Sequence, residues 1–400
     1  MRILIGADTY APHVNGASYF AQRLAGALNR EDGADVHVVC PADGVRSTTR
    51  VTADGITEHR IRSLPVPGHQ GFRFCLPVAL RRAAGRILDE VRPDVVHVQS
   101  HFPVCRALVD AACERGVPVV ATNHFMPENL THYLPVGDAG RRLVHEWAWR
   151  DAARVFAKAD VVTAPTPYAA ALATLAGVPG PVLPISCGID LRRFRTAMAA
   201  DGFRTATPAG EFRLRHGIPA KPTVTYVGRL DAEKNLDVVL RAFAEVAVDA
   251  HLVLVGAGAE RHHLEELAEK LDITRNTTFT GFVPDDELPT AYAATTVFVN
   301  AGTAELQSLV VLEAMASGRP VVGADAAALP HLVVDDETGY LFPPGDHAAL
   351  AARLRTVLAD EARAQALGKR ARQVAEQHDE ARTVAAFQQL YALRAGVTVR

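Results

Sequence analysis

The sequence predicts an α/β protein of two tandem, doubly wound, Rossmann-like domains facing a central cleft. Three observations carry that expectation. Short runs rich in Val and Ile alternate with longer amphipathic stretches, the rhythm of a parallel sheet with helices on both faces. The rhythm breaks at the Pro- and Gly-rich segment Pro179–Gly188 and then restarts. A chain of 400 residues has room for two or three domains at about 150 residues each.

In the first half, Met1–Gly6, Val36–Cys40, Val95–Gln99, Pro118–Thr122 and Val161–Ala164 read as buried strands. Ser18–Asn29, Val78–Val91, Arg106–Arg115 and Gly140–Ala159 read as the helices between them. In the second half the strands are Thr223–Gly228, His251–Gly256, Thr277–Thr280, Val297–Asn300 and Pro320–Gly323. Leu236–Val248, Glu260–Leu271, Leu309–Ser317 and Ala348–Asp360 are the helices that separate them. The expected domains are 1–187 and 188–382. The last helical stretch, Thr383–Ala395 within 383–400, has a register compatible with packing back on the first domain. In open parallel sheets ligands bind at the carboxyl ends of the strands, so the cleft between the two sheets is the expected site.

Composition removes several function classes. The 42 Lys+Arg against 45 Asp+Glu give a net charge of −3, which lacks the basic footprint of a nucleic-acid binder. Five cysteines, odd in number and without a Cys-x-x-Cys pair, fit thiols packed as small apolar groups in a reducing compartment. The apolar run at Met1–Gly6 is too short for a signal peptide. The longest uncharged stretch, Val161–Ile189, holds five prolines, which would break a lipid-exposed helix. The expectation is a soluble cytoplasmic protein, at most peripheral at the inner face of a membrane.

Two motifs carry chemistry. Gly228-Arg229-Leu230-Asp231-Ala232-Glu233-Lys234-Asn235 follows the first strand of the second half and leads into a helix. Arg229 and Lys234, five apart beside backbone N–H groups, suit a diphosphate; equally, this is a solvated helix start with Asp231 and Glu233 as capping acids. Glu305 and Glu313 sit eight apart after the strand Val297–Asn300, Glu305 in the loop and Glu313 one turn inside the next helix. Carboxylates accept hydrogen bonds from vicinal hydroxyls, so this pair could hold a ribose and a sugar. Glu313 lies in the apolar run Val310–Ala316, where an unpaired carboxylate would be costly. His262-His263 and Asp335-Asp336 lack ligand spacing, so no metal is expected. Gly256-Ala257-Gly258 lacks the third glycine of a dinucleotide fingerprint.

Taken in order, Gly-Arg-x5-Lys and Glu-x7-Glu-Ala-Met-Ala-Ser-Gly-x-Pro-Val-Val resemble the family-4 retaining glycosyltransferases of the GT-B fold, nearest in motif to those acting on diacylglycerol and membrane polyols. The resemblance extends over nearly the whole chain, through Tyr10-Ala11-Pro12-His13-Val14-Asn15-Gly16, Gly188-Ile189-Asp190 with Phe194, Gly281-Phe282-Val283 and Thr338-Gly339-Tyr340-Leu341-Phe342. It implies a hexose transfer from a UDP- or GDP-linked sugar, with no cofactor, to a hydroxyl acceptor, in a pocket of positive potential. It implies that Arg229 and Lys234 neutralise the diphosphate, that Glu313 binds ribose, and that Glu305 holds the donor sugar with Gln307, Ser308, Leu309 and Val310. Gly281, Phe282 and Val283 would line the base pocket, and Gly16 would let its loop approach the donor. His124 matches the family's cleft histidine, counted among the catalytic groups. Two departures bear on the sugar: the family often has Gly-Gly at Asn15-Gly16, and Gly at Ser308.

Acceptor recognition is expected from the first domain, around His101, His124, Glu128, His132 and Tyr133. The acceptor implied first is a lipid polyol, with a small soluble polyol, sugar or secondary metabolite as the alternative; a nucleotide-sugar epimerase is a more distant rival. Phe72-Arg73-Phe74 with Arg81, Arg82 and Arg86, and Arg141-Arg142 with Trp147 and Trp149, place basic residues beside aromatics, as at an anionic membrane surface. The competing expectation, and the favoured one, puts both tryptophans in the core.

Overall fold

Ile3, Leu4 and Ile5 are fully buried in β1 (Arg2–Gly6), which pairs in parallel with β2 (Asp35–Pro41) on one side. The computed structural model describes residues 1–13, 15–66, 73–127, 137–195, 207–246 and 249–396. By its contacts the chain divides into two units, Met1–Cys187 with Ala381–Arg400, and Gly188–Glu380.

In the first unit, α1 (Gly16–Asp32) links β1 to β2, and β3 (Thr48–Val51) and β4 (Thr57–Ile61) follow. A two-stranded ribbon, β5 (Leu64–Pro65) with β6 (Arg73–Phe74), leads into α2 (Pro77–Val91) and β7 (Val95–Val98). Then come α3 (Pro103–Arg115), β8 (Val119–Thr122), α4 (Asp138–Phe156), β9 (Val161–Ala164), α5 (Pro167–Leu175) and β10 (Val182–Pro184). The sheet order is β10-β9-β8-β7-β1-β2-β4-β3, parallel except that β3 runs antiparallel to β4. Most strands are short Val-rich runs, buried on both faces as a covered parallel sheet requires. β4 differs: its Glu58 and Arg60 are buried at 3% and 5% exposure and pair with each other at 2.8 Å. That charge hid the strand from a hydropathy reading.

α1 starts on a reciprocal cap. Asn15 Oδ1 accepts from the Ser18 N–H at 2.8 Å, and Ser18 Oγ accepts from the Asn15 N–H at 3.0 Å, satisfying donors a helix start leaves bare. The preceding loop is held by Arg60, which donates to the Ala11 carbonyl. α3 is pinned to the end of β1 by Asp8, whose carboxylate accepts from the Val104 N–H at 2.8 Å.

The second unit contains α6 (Leu191–Arg195), α7 (Pro208–Arg215), β11 (Thr223–Val227), α8 (Leu236–Glu245), β12 (His251–Val255) and α9 (Arg261–Lys270). It continues through β13 (Thr277–Gly281), α10 (Leu288–Ala293), β14 (Val297–Asn300), α11 (Leu309–Ala316), β15 (Val321–Ala324), β16 (Gly339–Phe342), α12 (His347–Leu358) and α13 (Glu361–Ala375). Its six strands run in the order β13-β12-β11-β14-β15-β16, all parallel. The order reverses direction at β11 and β14, the switch point at which such sheets bind ligands.

The last helix, α14 (Glu380–Ala395), returns to the first unit. Val384, Phe387, Leu390 and Tyr391 join the core formed by Ile3, Ile5, Phe20, Val36 and Val38.

Candidate active site in the second unit and the buried polar network of the first

The carboxyl ends of β13, β12, β11 and β14 are neighbours in the second sheet, and the segments after them carry the motifs. β11 ends in a loop whose course depends on glycine. A side chain at Gly256 would lie 1.8 Å from the Gly228 carbonyl oxygen, and one at Gly258 would lie 2.3 Å from that of Leu230. The two loops therefore cross backbone on backbone, joined by Gly228 N–H to Val255 O at 2.9 Å and Leu230 N–H to Ala257 O at 3.0 Å. This is the physical reason for the Gly-x-Gly that resembled half a dinucleotide fingerprint. It fixes Arg229 between two anchored residues.

Lys234 closes a single 3-10 turn, Ala232–Lys234, and α8 begins only at Leu236, after Asn235 at φ 49°. Arg229 donates to Asp231 and, at 2.8 Å, to Glu233 Oε1. Lys234 Nζ lies 3.4 Å from the same Glu233 oxygen and donates to Glu305 Oε1 at 2.9 Å. Burial alone would pull the Lys234 ammonium down; Glu305, the Tyr226 phenol and Glu233 outweigh it and hold the pKa well above the usual range. Lys234 is thus fully charged at neutral pH. The expectation is a pocket of positive potential; in the structure three carboxylates, Asp231, Glu233 and Glu305, pair with the two cations. The side chain of Arg229 is 46% exposed and that of Lys234 18%, so Arg229 is the more accessible of the two cations.

β14 delivers Glu305. At its end Asn300 accepts from the Gly302 N–H at 2.8 Å and donates to Ser308 Oγ at 3.0 Å, drawing the loop 301–308 closed. Asn235 Nδ2 donates to the Ala301 carbonyl, tying this loop to the Lys234 turn. Ser308 sits at φ 68°, the left-handed region that favours glycine, which accounts for the residue the family often has there. Its hydroxyl is taken by Asn300 and places no cap on α11. The helix therefore opens, at Leu309 and Val310, with first-turn N–H groups that no side chain caps, a geometry suited to an anion or to sugar oxygens.

Glu313, 4% exposed, lies inside α11 and accepts from the Tyr292 hydroxyl at 2.8 Å. Burial and that carboxylate drive the Tyr292 pKa well up. Gln307 is also buried and faces His378 Nδ1 at 3.4 Å. Gly281 lies at φ 75° at the end of β13, Phe282 is 66% exposed and Val283 is buried. Lys234 contacts Glu305 directly and Arg229 joins them through Glu233, while Glu313 accepts from Tyr292. Sequence reasoning missed Asn235 and Tyr292, whose partners are distant in sequence, and Asn300, whose partners lie in the loop it closes, and read Glu233 only as a capping acid.

In the first unit Gly16 is the first residue of α1, and a side chain there would meet nothing within 4 Å. His124 has both ring nitrogens turned toward its own unit: Nε2 is 3.0 Å from Gln99 Oε1 and Nδ1 is 3.9 Å from Cys187 Sγ. Its ring lies 4.9 Å from that of Phe20, and burial pushes its pKa down to about 4. At neutral pH it is an uncharged imidazole, and Gln99, which can only accept through Oε1, holds the proton on Nε2. These contacts describe a positioned neutral group rather than an acid. The same network continues from Gln99 to His97, and from His97 to Thr122 at 2.7 Å and Tyr391 at 2.6 Å.

His101 corrects an expectation. It is 2% exposed and packs among Phe102, Phe125 and Phe156, with its pKa lowered by burial to about 4. It is packed in the core of the first unit. Glu128, His132 and Tyr133 lie outside the described residues, as does Phe72. The tryptophans divide: Trp149 is 6% exposed against Phe125, whereas Trp147 is 60% exposed.

Residues 14–193 match the family described as Glycosyltransferase Family 4, and residues 210–374 match Glycosyl transferases group 1. A sulfoquinovosyl transferase of Arabidopsis thaliana is 30% identical over 88% of this chain, which spans 65% of that protein's length. An alpha-monoglucosyldiacylglycerol synthase of Streptococcus pneumoniae is 29% identical over 90% of this chain and 79% of its own. A GDP-mannose-dependent alpha-mannosyltransferase of Mycobacterium tuberculosis is 31% identical over 86% and 85%. Among solved structures, a sucrose-phosphate synthase from Thermosynechococcus elongatus superposes with a TM-score of 0.79 at 23% identity, covering 98% of this chain and 99% of that one. Anabaena HepE in complex with UDP-glucose superposes at 0.76 and 19%, covering 99% of each. The chain belongs to the family-4 glycosyltransferases and has their GT-B fold.

Proposed function

We propose that the chain is a retaining, metal-independent hexosyltransferase that takes a hexose from a UDP- or GDP-linked sugar to a hydroxyl of a membrane lipid polyol. The observation that carries this reading is the ion-pair chain from Arg229 through Glu233 and Lys234 to Glu305, in the loop that leads into the uncapped start of α11. Departure of a nucleoside diphosphate from an anomeric carbon builds negative charge on the leaving phosphate. Fixed cations and helix N–H groups at that position supply the dominant stabilisation. Arg229, the more exposed cation, exchanges Asp231 for phosphate oxygens. Lys234, buried and charged, stays in place. Glu305 accepts from donor-sugar hydroxyls, and Glu313 from ribose.

The names of the diacylglycerol- and mannose-transferring relatives support a lipid acceptor and a nucleotide-sugar donor. So does the surface of the first unit. Leu143 and Trp147, one helical turn apart on α4, are 70% and 60% exposed beside Arg142. Phe74, Leu76 and Val78 are exposed at the start of α2, followed by exposed Arg81, Arg82 and Arg86. Apolar side chains flanked by arginines suit the interface of an anionic bilayer. Among the described residues no helix is long and apolar enough to cross a membrane.

A panel of UDP- and GDP-sugars in thermal melts identifies the donor, because a true donor raises the midpoint by mass action. Co-sedimentation with vesicles containing anionic lipid, with Trp147→Ala and Leu143→Ala as controls, tests the acceptor side. Failure to bind vesicles together with transfer to a soluble polyol would reject the lipid acceptor. Release of free altered sugar without any acceptor would establish the epimerase instead.

A further inference from the structure

Glu233 has a position unlike that of the other acids around the cations. It is 4% exposed, and its single oxygen Oε1 is shared by both cations, Arg229 at 2.8 Å and Lys234 at 3.4 Å. Its other oxygen, Oε2, is buried and makes no hydrogen bond among the described residues. Asp231 and Glu305 complete a set of three carboxylates against two cations. By formal charge this leaves one net negative charge where a diphosphate would bring more.

On the reading of this site as the diphosphate pocket, we propose that Glu233 is a positioning residue with two effects. It aligns Arg229 and Lys234 by bridging them, and its fixed charge weakens the site's hold on the free nucleoside diphosphate product. A bridge through one oxygen sets the separation of the two cations, which positions them for adjacent phosphates. The second effect follows from burial. A carboxylate shielded from water cannot be screened or rotated out, so it repels a bound diphosphate throughout the catalytic cycle. Asp231 and Glu305 each face one of the two cations; Glu233, on the short turn between the cations, faces both. The transition state gains more from the aligned pair than the ground-state product does, so the arrangement favours turnover over product retention.

The test separates charge from alignment in the full-length protein. Glu233→Gln keeps the shape and one acceptor oxygen but removes the charge; Glu233→Asp keeps the charge but shortens the reach. Calorimetric titration with UDP and GDP is expected to show Glu233→Gln binding about tenfold tighter than wild type, the gap holding as salt rises because the carboxylate is buried. Its kcat falls as product release slows, with the donor KM falling in parallel. Glu233→Asp is expected to leave the Kd near that of wild type while kcat drops about tenfold. A purely structural role predicts weaker diphosphate binding in both variants. Unchanged or weaker binding in Glu233→Gln, or undiminished kcat in Glu233→Asp, overturns the proposal while leaving the diphosphate site standing. Absence of UDP and GDP binding in the wild type removes both together.

Discussion

Arg229 and Lys234 are held in different ways, and their substitutions are expected to differ accordingly. Lys234 is buried between Glu233 and Glu305, so Lys234→Ala takes from Glu305 the cation that donates to it and leaves Glu233 with Arg229. Arg229 is half exposed, and its loss leaves the loop anchored by the Gly228 and Leu230 backbone bonds. Removing one charge-stabilising donor costs about 2.7–4 kcal/mol in turnover. Initial-rate measurements should therefore show kcat down by about two to three orders of magnitude in Arg229→Ala with its melting temperature retained. Lys234→Ala should lose both activity and stability. Near-normal turnover in either variant contradicts the assignment. At this scale the sequence exposed the cations and acids, because Gly-Arg-x5-Lys and Glu-x7-Glu are local patterns. It could not show that Glu233 bridges the cations, or that Glu313 is satisfied by Tyr292, since both are facts of packing.

Among the elements, the Val-rich parallel strands were legible because burial on both faces demands apolar runs. β4 was not, because Glu58 and Arg60 neutralise each other inside it. α4 was legible as a helix, but its buried face was not. Two aromatics two positions apart cannot both face the core, and the structure buries Trp149 and exposes Trp147. The Asn15-Gly16 departure from the family's Gly-Gly also has an explanation at this level. Asn15 caps α1 and accepts from Ser18. Chemical denaturation should show Asn15→Ala less stable by about 1 kcal/mol, and Asn15→Gly by only a few tenths. Equal losses in the two variants would mean that the side chain serves something other than the cap.

For the whole molecule, buried histidines set an acid limit. Burial, with His124 adding to it, lowers the His97 pKa to about 3; burial lowers His101 to about 4; burial and then Arg213 lower His251 to about 4. Each folded value lies below the unfolded value of 6.5, so the unfolded chain binds more protons between those limits. The stability contributed is fully present above pH 6.5 and is lost as pH falls toward 4, by up to about 1.4 kcal/mol per unit for each histidine. Urea midpoints measured at pH 7, 6 and 5 should fall steadily; a flat series would show these imidazoles to be hydrated. The fold class followed from periodicity over the whole chain, whereas the cation pair's compensation by three acids emerged only with side chains in place.

On the proposed function, Arg229 and Lys234 receive the diphosphate of a nucleotide sugar. Titration calorimetry of UDP and GDP into wild type, Arg229→Ala and Lys234→Ala tests it most directly. Saturable binding of one nucleoside diphosphate by the wild type is expected, weakened at least about tenfold in each variant, in keeping with the loss of a charge-assisted contact. Equal affinity in all three proteins, or no binding of either nucleotide by the wild type, would contradict it.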